Sequence, residues 1–482
     1  MSPPSHAEIV ASLTARWPEH RIARSLTRIE ALCDLLGSPQ DACPVIQIAG
    51  TNGKGSTAII IDTLLRSLGL RVGRFSSPHL EDITERIVID GQPIAADRFD
   101  ELVEEVMPYV EIVDARQTRG GREQNEFARV AESSQSRDER REEQLDGVPM
   151  TFYEVMTALA YVAFSQAPVD VAVVEVGMGG GWDATSVADA QVAVICPIDY
   201  DHTQILGTTL TAIATEKAGI IKPGASAVLA GQQPEAAEVL ISRAAEVGAK
   251  VSLEGVDFGL IDRQLAVGGQ VLRLETADGP LGDLALPLFG AHMARNAALA
   301  VAACEAFLGG RALPAEVVAE GLEAVVAPAR LEVVRRSPSV VLDTCHNPHG
   351  ARATIDALTE AFDFNPLIGV VAMMADKDVR GVLEVFAEAM TSVVVTGIAG
   401  SDRALTPEAL GDRASEVFGP ERVSVRPGLA EAIDEAVRLA DEAGAGAGVL
   451  IAGSVYAAGE ARTLLVHHAE ATAVPAEDDQ DM

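Results

Sequence analysis

The chain has 482 residues, 48% of them hydrophobic but only 4% aromatic, with a formal net charge of −34. That length exceeds one ordinary core and requires two domains filled by Ala, Val, Leu and Ile, while the acidic balance excludes nucleic acid as a general partner, because phosphate binding rests on Lys and Arg. Five cysteines without metal-ligand spacing, no apolar stretch of membrane-span length and no signal-peptide core after Met1 predict a cytoplasmic protein with free thiols.

In chain order, helical patterns over 6–17 and 22–36 precede a strand at 45–48. The octet GTNGKGST (50–57) follows, opening a helix over 54–68. Strand, glycine loop and helix N-terminus together form an anion cradle of backbone N–H groups. The spacing is tighter than the general Walker form, with two residues between Gly50 and Gly53-Lys54. Only five of the 37 basic residues are lysine (Lys54, Lys217, Lys222, Lys250, Lys377), so each is a candidate for work a guanidinium cannot do.

Strands at 71–75 and 86–89 and a helix over 96–110 come next. The charged stretch 114–147 lacks apolar periodicity and reads as a disordered insertion, with room for a frayed helix. A helix over 152–164, apolar strands at 169–176 and 192–195, a helix near 212–218 and a strand near 225–230 define a parallel α/β sheet. Shorter alternating strands over 250–286 lead to a helix over 291–308. Past a boundary near 326–328, strands at 340–343, 367–373, 393–396 and 449–452 alternate with helices over 351–361, 379–390 and 429–443, a second doubly wound domain. The acidic end, 468–482, reads as a disordered tail.

Polar residues punctuate the carboxyl ends of these strands, where open α/β sheets bind ligands. Ser76-Ser77-Pro78-His79 follows the second strand; Glu175, ahead of Gly177-Met178-Gly179-Gly180-Gly181, ends an otherwise apolar one. Asp199-Tyr200-Asp201-His202, Glu216-Lys217, His292 with Asn296 one helical turn on, Arg330, and Asp343-Thr344-Cys345-His346-Asn347 complete the set. Each alone has a plainer reading as turn, cap or surface pair. Ser77, Glu175 and His202 all falling at strand ends favours Mg²⁺ bridging to nucleotide phosphates. Cys345 next to His346 is a poor thiol nucleophile, because neighbours on an extended chain point apart.

Taken together and in order, these motifs resemble the folylpolyglutamate synthase / dihydrofolate synthase family of the Mur-ligase superfamily. GTNGKGST, SSPHL (76–80), EVGMGG (175–180) with DAT (183–185), DH (201–202), EKAGIIKPG (216–224), GAHMARNAALA (290–300), ARLEV (329–333), DTCHNPHG (343–350), MADKD (374–378) and GSVYAAGE (453–460) carry the likeness. The resemblance implies a P-loop ATPase-type parallel-sheet domain of the Mur central type over 1–327, and a Rossmann-like glutamate-ligase domain over 328–467. It implies an ATP-binding set of Asn52, Gly53, Lys54, Gly55, Ser56, Asn296, Arg330, Asp343 and His346. Ser77 and Glu175 resemble ligands of one Mg²⁺, with His202 on a second. Lys217 matches a lysine carbamylated in the superfamily, and Lys54, Lys217 and His202 carry the catalytic roles. Thr151, Tyr153, Asp183 and Ala184 fall where the family forms its pterin pocket. The family usually has Arg where this chain has Gly181, and Asn where it has Ser186.

The implied reaction is ATP-dependent addition of L-glutamate to dihydropteroate, reduced folates or both, by a monomer with no nucleic-acid or membrane partner. A peptidoglycan-precursor amino-acid ligase is the nearest rival, disfavoured by SSPHL and by the mere 49 residues ahead of Gly50. An unrelated P-loop ATPase is the other.

Overall fold

The computed structural model describes residues 4–16, 24–128 and 148–467. The expected tail lies outside the described residues. The first sheet holds β1 (Val45–Ala49), β2 (Val72–Phe75), β3 (Ile87–Ile89), β4 (Gln92–Pro93), β5 (Val171–Glu175), β6 (Val192–Ile195), β7 (Ser226–Leu229) and β8 (Lys250–Leu253). Their order is β4-β3-β2-β5-β1-β6-β7-β8. From β2 to β8 every neighbouring pair is parallel, and β3 and β4 add an antiparallel edge.

Both faces of this sheet are covered, which is why β1, β5 and β6 are buried at every residue. Alternate residues serve opposite faces. Ile46, Ile48 and Val173 pack among residues of the helices Lys54–Ser67 and Ala291–Phe307, while Val45, Ala172 and Val174 pack with the helix Phe152–Gln166. The chain leaves β1 with β5 on one side and β6 on the other, a topological switch point whose carboxyl edge is open to a ligand. The residues after β1, β2, β5 and β6 all emerge there.

Three antiparallel strands, β9 (Gly259–Ala266), β10 (Gly269–Thr276) and β11 (Gly279–Leu286), form a separate sheet. The last sheet, β12 (Arg330–Arg336), β13 (Ser339–Asp343), β14 (Leu367–Val371), β15 (Ser392–Val395), β16 (Val423–Val425) and β17 (Gly448–Ala452), runs in the order β12-β13-β17-β14-β15-β16. It is parallel except for the β12–β13 hairpin. The fold is thus the expected pair of α/β sheet domains.

One expectation needs correction. The helix expected to stop at 110 runs over Ala96–Ala128, passing through Pro108, so the first part of the 114–147 stretch is helical. Residues 129–147 lie outside the described residues. The charged sequence holds few apolar residues but many good helix formers, and propensity there outweighs the missing periodicity.

Candidate active site

The loop after β1 is shaped by two glycines. Gly50 has φ +149°, and a Cβ there would lie 2.6 Å from Cys196 Cβ, so only a bare backbone fits against β6. Gly53, at φ +87°, caps the helix Lys54–Ser67, and a Cβ on it would meet Asn296 Oδ1 at 2.9 Å. Asn296 therefore presses its amide onto the loop from the N-terminal turns of the helix Ala291–Phe307. Ser56 is buried behind the loop, and Lys54 Nζ sits 3.5 Å from Thr51 O. A Cβ on Gly55 would lie 3.5 Å from Glu175 Oε2 and 3.7 Å from Arg330 Nη2, which places those two side chains over the start of the helix.

Arg330 is aimed there by strained backbone. Its neighbours Ala329 (φ +52°) and Leu331 (φ +49°) both adopt the left-handed conformation, which costs non-glycine residues about 1–3 kcal/mol each. Glu332 accepts from Ala329 N at 2.7 Å and Asp343 accepts from Leu331 N at 3.1 Å, holding the turn. Asp343 also accepts from Cys345 N and Thr354 Oγ1, so its carboxylate supports the site rather than facing open space. Burial pushes the Cys345 thiol well up, which removes it as a nucleophile.

Glu175 is buried at the end of β5 and accepts a long bond from Ser77 N at 3.4 Å. Burial raises its pKa, opposed by the charges of Lys54, Arg330 and Arg74. Lys217 is buried too, donating from Nζ to Gly50 O at 2.7 Å. Burial, joined by the Lys54 charge, lowers its pKa to about 7. Beyond β6, His202 stands at φ +52° with its pKa lowered to about 3, chiefly by burial and secondarily by Lys377 and Lys54. Its Nε2 faces Lys377 Nζ at 3.4 Å. Lys377 donates to Asp201 Oδ1 at 2.7 Å, and His346 Nε2 lies 3.5 Å from Asp201 Oδ2. Burial pushes Asp201 up, but the His346 hydrogen bond and the nearby cations reverse this and hold its carboxyl far below the usual range. Ser77 and Glu175 are thus brought together, while His202 contacts the Asp201–Lys377 pair.

These elements border a cavity of ≈ 1180 Å³ between the two large sheets. Ser77, Thr151, Tyr153, Asp183, Ala184, His202 and His346 all line it. Two of the pocket residues also have structural duties. Thr151 forms a capping box with Glu154 at the helix Phe152–Gln166, and Glu154 pairs with the buried Arg28 at 2.9 Å. Asp183 accepts from Met178 N, Thr185 N and Thr185 Oγ1, pinning the glycine loop; burial raises its pKa, opposed by those bonds. Tyr153 Oη lies 3.4 Å from both Glu175 O and Asp183 Oδ1, which share its one hydroxyl proton.

The two departures have local explanations. A Cβ on Gly181 would lie 3.3 Å from Gly219 Cα, and one on Gly219 only 2.5 Å from the Gly181 backbone, so the two glycines pack directly against each other. Arg24 still brings a guanidinium to this wall, 5.5 Å from the Trp182 ring centroid and 3.7 Å from Glu216. Ser186 donates to Gly180 O at 2.7 Å and accepts from Gln47 Nε2 at 2.9 Å, bracing the loop from β1. Sequence reasoning placed Asp201 and Asn347 at strand ends without giving either a role, and it did not single out Arg24. The scarcity of lysine and the MADKD motif (374–378) both pointed at Lys377.

A phosphate loop, a buried strand-end carboxylate and a second α/β domain closing over one cavity define an ATP-dependent acid–amino-acid ligase. Residues 147–304 match the Mur ligase middle domain, and 329–455 match the Mur ligase glutamate ligase domain. The chain is 46% identical over 472 residues to the dihydrofolate synthase/folylpolyglutamate synthase of Mycobacterium tuberculosis, covering 94% of this chain and 92% of that protein. It is 34% identical to the folylpolyglutamate synthase of Lacticaseibacillus casei, covering 94% and 95%. The structure of Mycobacterium tuberculosis folylpolyglutamate synthase complexed with ADP superposes with a TM-score of 0.87 at 44% identity, covering 95% of this chain and 98% of that one. An FPGS–AMPPCP–folate complex superposes with a TM-score of 0.79 at 31% identity, covering 96% of this chain and 100% of that one. The chain belongs to the dihydrofolate synthase/folylpolyglutamate synthase family of ATP-dependent glutamate ligases.

Proposed function

We propose that the chain adds L-glutamate to dihydropteroate and to reduced folates, with residues up to 327 holding ATP and the pterin and residues 328–467 presenting glutamate. The observation that carries this reading is the convergence of the phosphate loop, Glu175 and the Asp201–Lys377–His346 cluster at one edge of the cavity. Every residue assigned to the site belongs to one chain, which supports a monomer. Asn52, Gly53, Lys54, Gly55 and Ser56 cradle the phosphates, and Asn296, Arg330, Asp343 and His346 frame the rest of the nucleotide. Thr151, Tyr153, Asp183 and Ala184 wall the pterin side. Among the described residues no helix is long and apolar enough to cross a membrane.

The donor set suits a hard cation: Ser77 and the buried Glu175 offer oxygen ligands beside the loop. They would hold one Mg²⁺, with His202 and a carbamylated Lys217 toward a second. Bound there, the ions would neutralise phosphate charge. With its pKa near 7, Lys217 supplies the neutral amine that carbon dioxide requires.

Joining a carboxylate to an amine in water needs activation. The pterin-side carboxylate oxygen attacks the γ-phosphorus, ADP leaves, and an acyl phosphate forms; Lys54 screens the approach of two anions and stabilises the spread charge. The glutamate amine then attacks the acyl carbon, loses a proton, and inorganic phosphate departs with the attacking oxygen. Closure of the second domain excludes the water that hydrolyses the intermediate. Dihydropteroate and tetrahydrofolate, assayed side by side with ATP, Mg²⁺ and glutamate, should each yield a product longer by one glutamate. Phosphate release with no new amide from either pterin would refute the reading.

A further inference from the structure

Asn347 follows β13 and opens the helix Pro348–Ala361, yet it is only 2% exposed. Its side chain does three things at once. Oδ1 accepts from Gly350 N at 2.8 Å, capping its own helix. The same oxygen accepts from Asn52 Nδ2 at 3.3 Å, in the phosphate loop 295 residues away. Nδ2 donates back to Asn52 Oδ1 at 3.0 Å and across to Asp201 Oδ2 at 3.2 Å. A primary amide has two donor hydrogens and an oxygen with two lone pairs, and here each is used. Asn52 Nδ2 also reaches His349 Nδ1 at 2.8 Å, which sets that ring with its proton on Nε2. The tip of the phosphate loop is therefore clasped by the first turn of a helix from the other domain.

The residue type is tightly specified by this arrangement. Aspartate would keep the cap but could donate to neither Asn52 nor Asp201, and it would place a second carboxylate beside Asp201. Serine would keep the cap and is too short for the bridge. The Asp201 carboxylate that Asn347 holds is also the partner of Lys377 and the neighbour of His346, so one amide ties the loop to the cation cluster of the cavity.

We propose that Asn347 is a positioning residue for the ligation reaction, which through its paired bonds to Asn52 fixes the phosphate loop against the second domain in the reactive arrangement. The proposal rests on the ligase reading above. Its role is to hold geometry between domains, without touching reacting atoms. Misplacement by about 1 Å costs roughly a hundredfold in rate, and loss of a bridge that leaves each domain intact should cost at least about tenfold.

The test compares Asn347→Ser, Asn347→Ala, Asn52→Ala and the double variant Asn52→Ala/Asn347→Ser in the full-length enzyme with saturating ATP, Mg²⁺, pterin and glutamate. Serine at a helix N-cap substitutes for asparagine at little cost. Asn347→Ser is expected to melt cooperatively, no less stable than Asn347→Ala, and to keep the KM for ATP while kcat falls at least about tenfold. The double variant is expected to lose clearly less than the product of the two single losses, because both singles remove the same Asn52–Asn347 bridge. If Asn347→Ser turns over like wild type and only Asn347→Ala is impaired, the residue is a helix cap and the proposal fails. Losses that multiply in the double variant, or that appear in KM alone, overturn it as well. Failure of the ligase reading would show separately, as a wild-type enzyme that forms no amide.

Discussion

Replacing Lys217 with methionine, which matches its length without the amine, separates folding from chemistry. The buried amine has its pKa lowered from 10.5 to about 7. Between those values the folded chain binds one proton fewer than the unfolded chain, so stability rises with pH across that window and the burial penalty is present in full below pH 7. A shift of that size corresponds to about 5 kcal/mol. Losing the Nζ bond to Gly50 O returns about 1–3 kcal/mol of that as an unsatisfied carbonyl. At pH 6 the Lys217→Met variant should therefore be more stable than wild type by about 2 kcal/mol or more. By pH 9.5 the advantage should shrink by about 3 kcal/mol, which removes most or all of it. Guanidinium midpoints in bicarbonate-free buffer at the two pH values measure this. Ligation by the variant should fall about a hundredfold or more, since a charged group at the reaction centre is lost. A variant that is less stable at pH 6, or whose stability difference ignores pH, would refute the reasoning; near-normal turnover would refute the carbamate.

Other consequences are equally direct. A Cβ on Gly459 would fall 1.8 Å from Leu80 O, where the helix Val455–Arg462 meets the loop after β2, so Gly459→Ala should hold the two apart and lower kcat about a hundredfold while melting stays cooperative. Arg28→Ala leaves the Glu154 carboxylate buried without its cation and should destabilise by about 3–5 kcal/mol, seen as a large drop in melting temperature. His202 has its pKa lowered to about 3, mainly by burial, so its ring should stay neutral in NMR spectra at pH 5. The unfolded chain takes up that proton first, so wild type should lose stability as pH falls from 6.5 toward 3, and His202→Gln should lose less.

Much of the site was legible because buried parallel strands leave a plain signature: an apolar run that ends abruptly in Gly, Ser, Glu or Asp. That pattern located the phosphate loop, Ser77, Glu175 and Asp201-His202 at one sheet edge before any fold was known. What it could not locate were partners brought together by tertiary structure. Lys377 lies 176 residues from Asp201, and Asn347 lies 295 from Asn52. The double duty of Thr151 and Asp183 was equally hidden, because a capping side chain and a pocket wall share one residue type. The helix through 114–128 was foreseen only as room for a frayed one, because the stretch has propensity without periodicity.

The account stands on activation of the pterin-side carboxylate by phosphoryl transfer. Substrate labelled with ¹⁸O in that carboxylate tests it most directly, with the released phosphate read by mass spectrometry. One labelled oxygen per phosphate, for each amide formed, is the predicted result. Amide formation with unlabelled phosphate would contradict the acyl phosphate and the mechanism built on it.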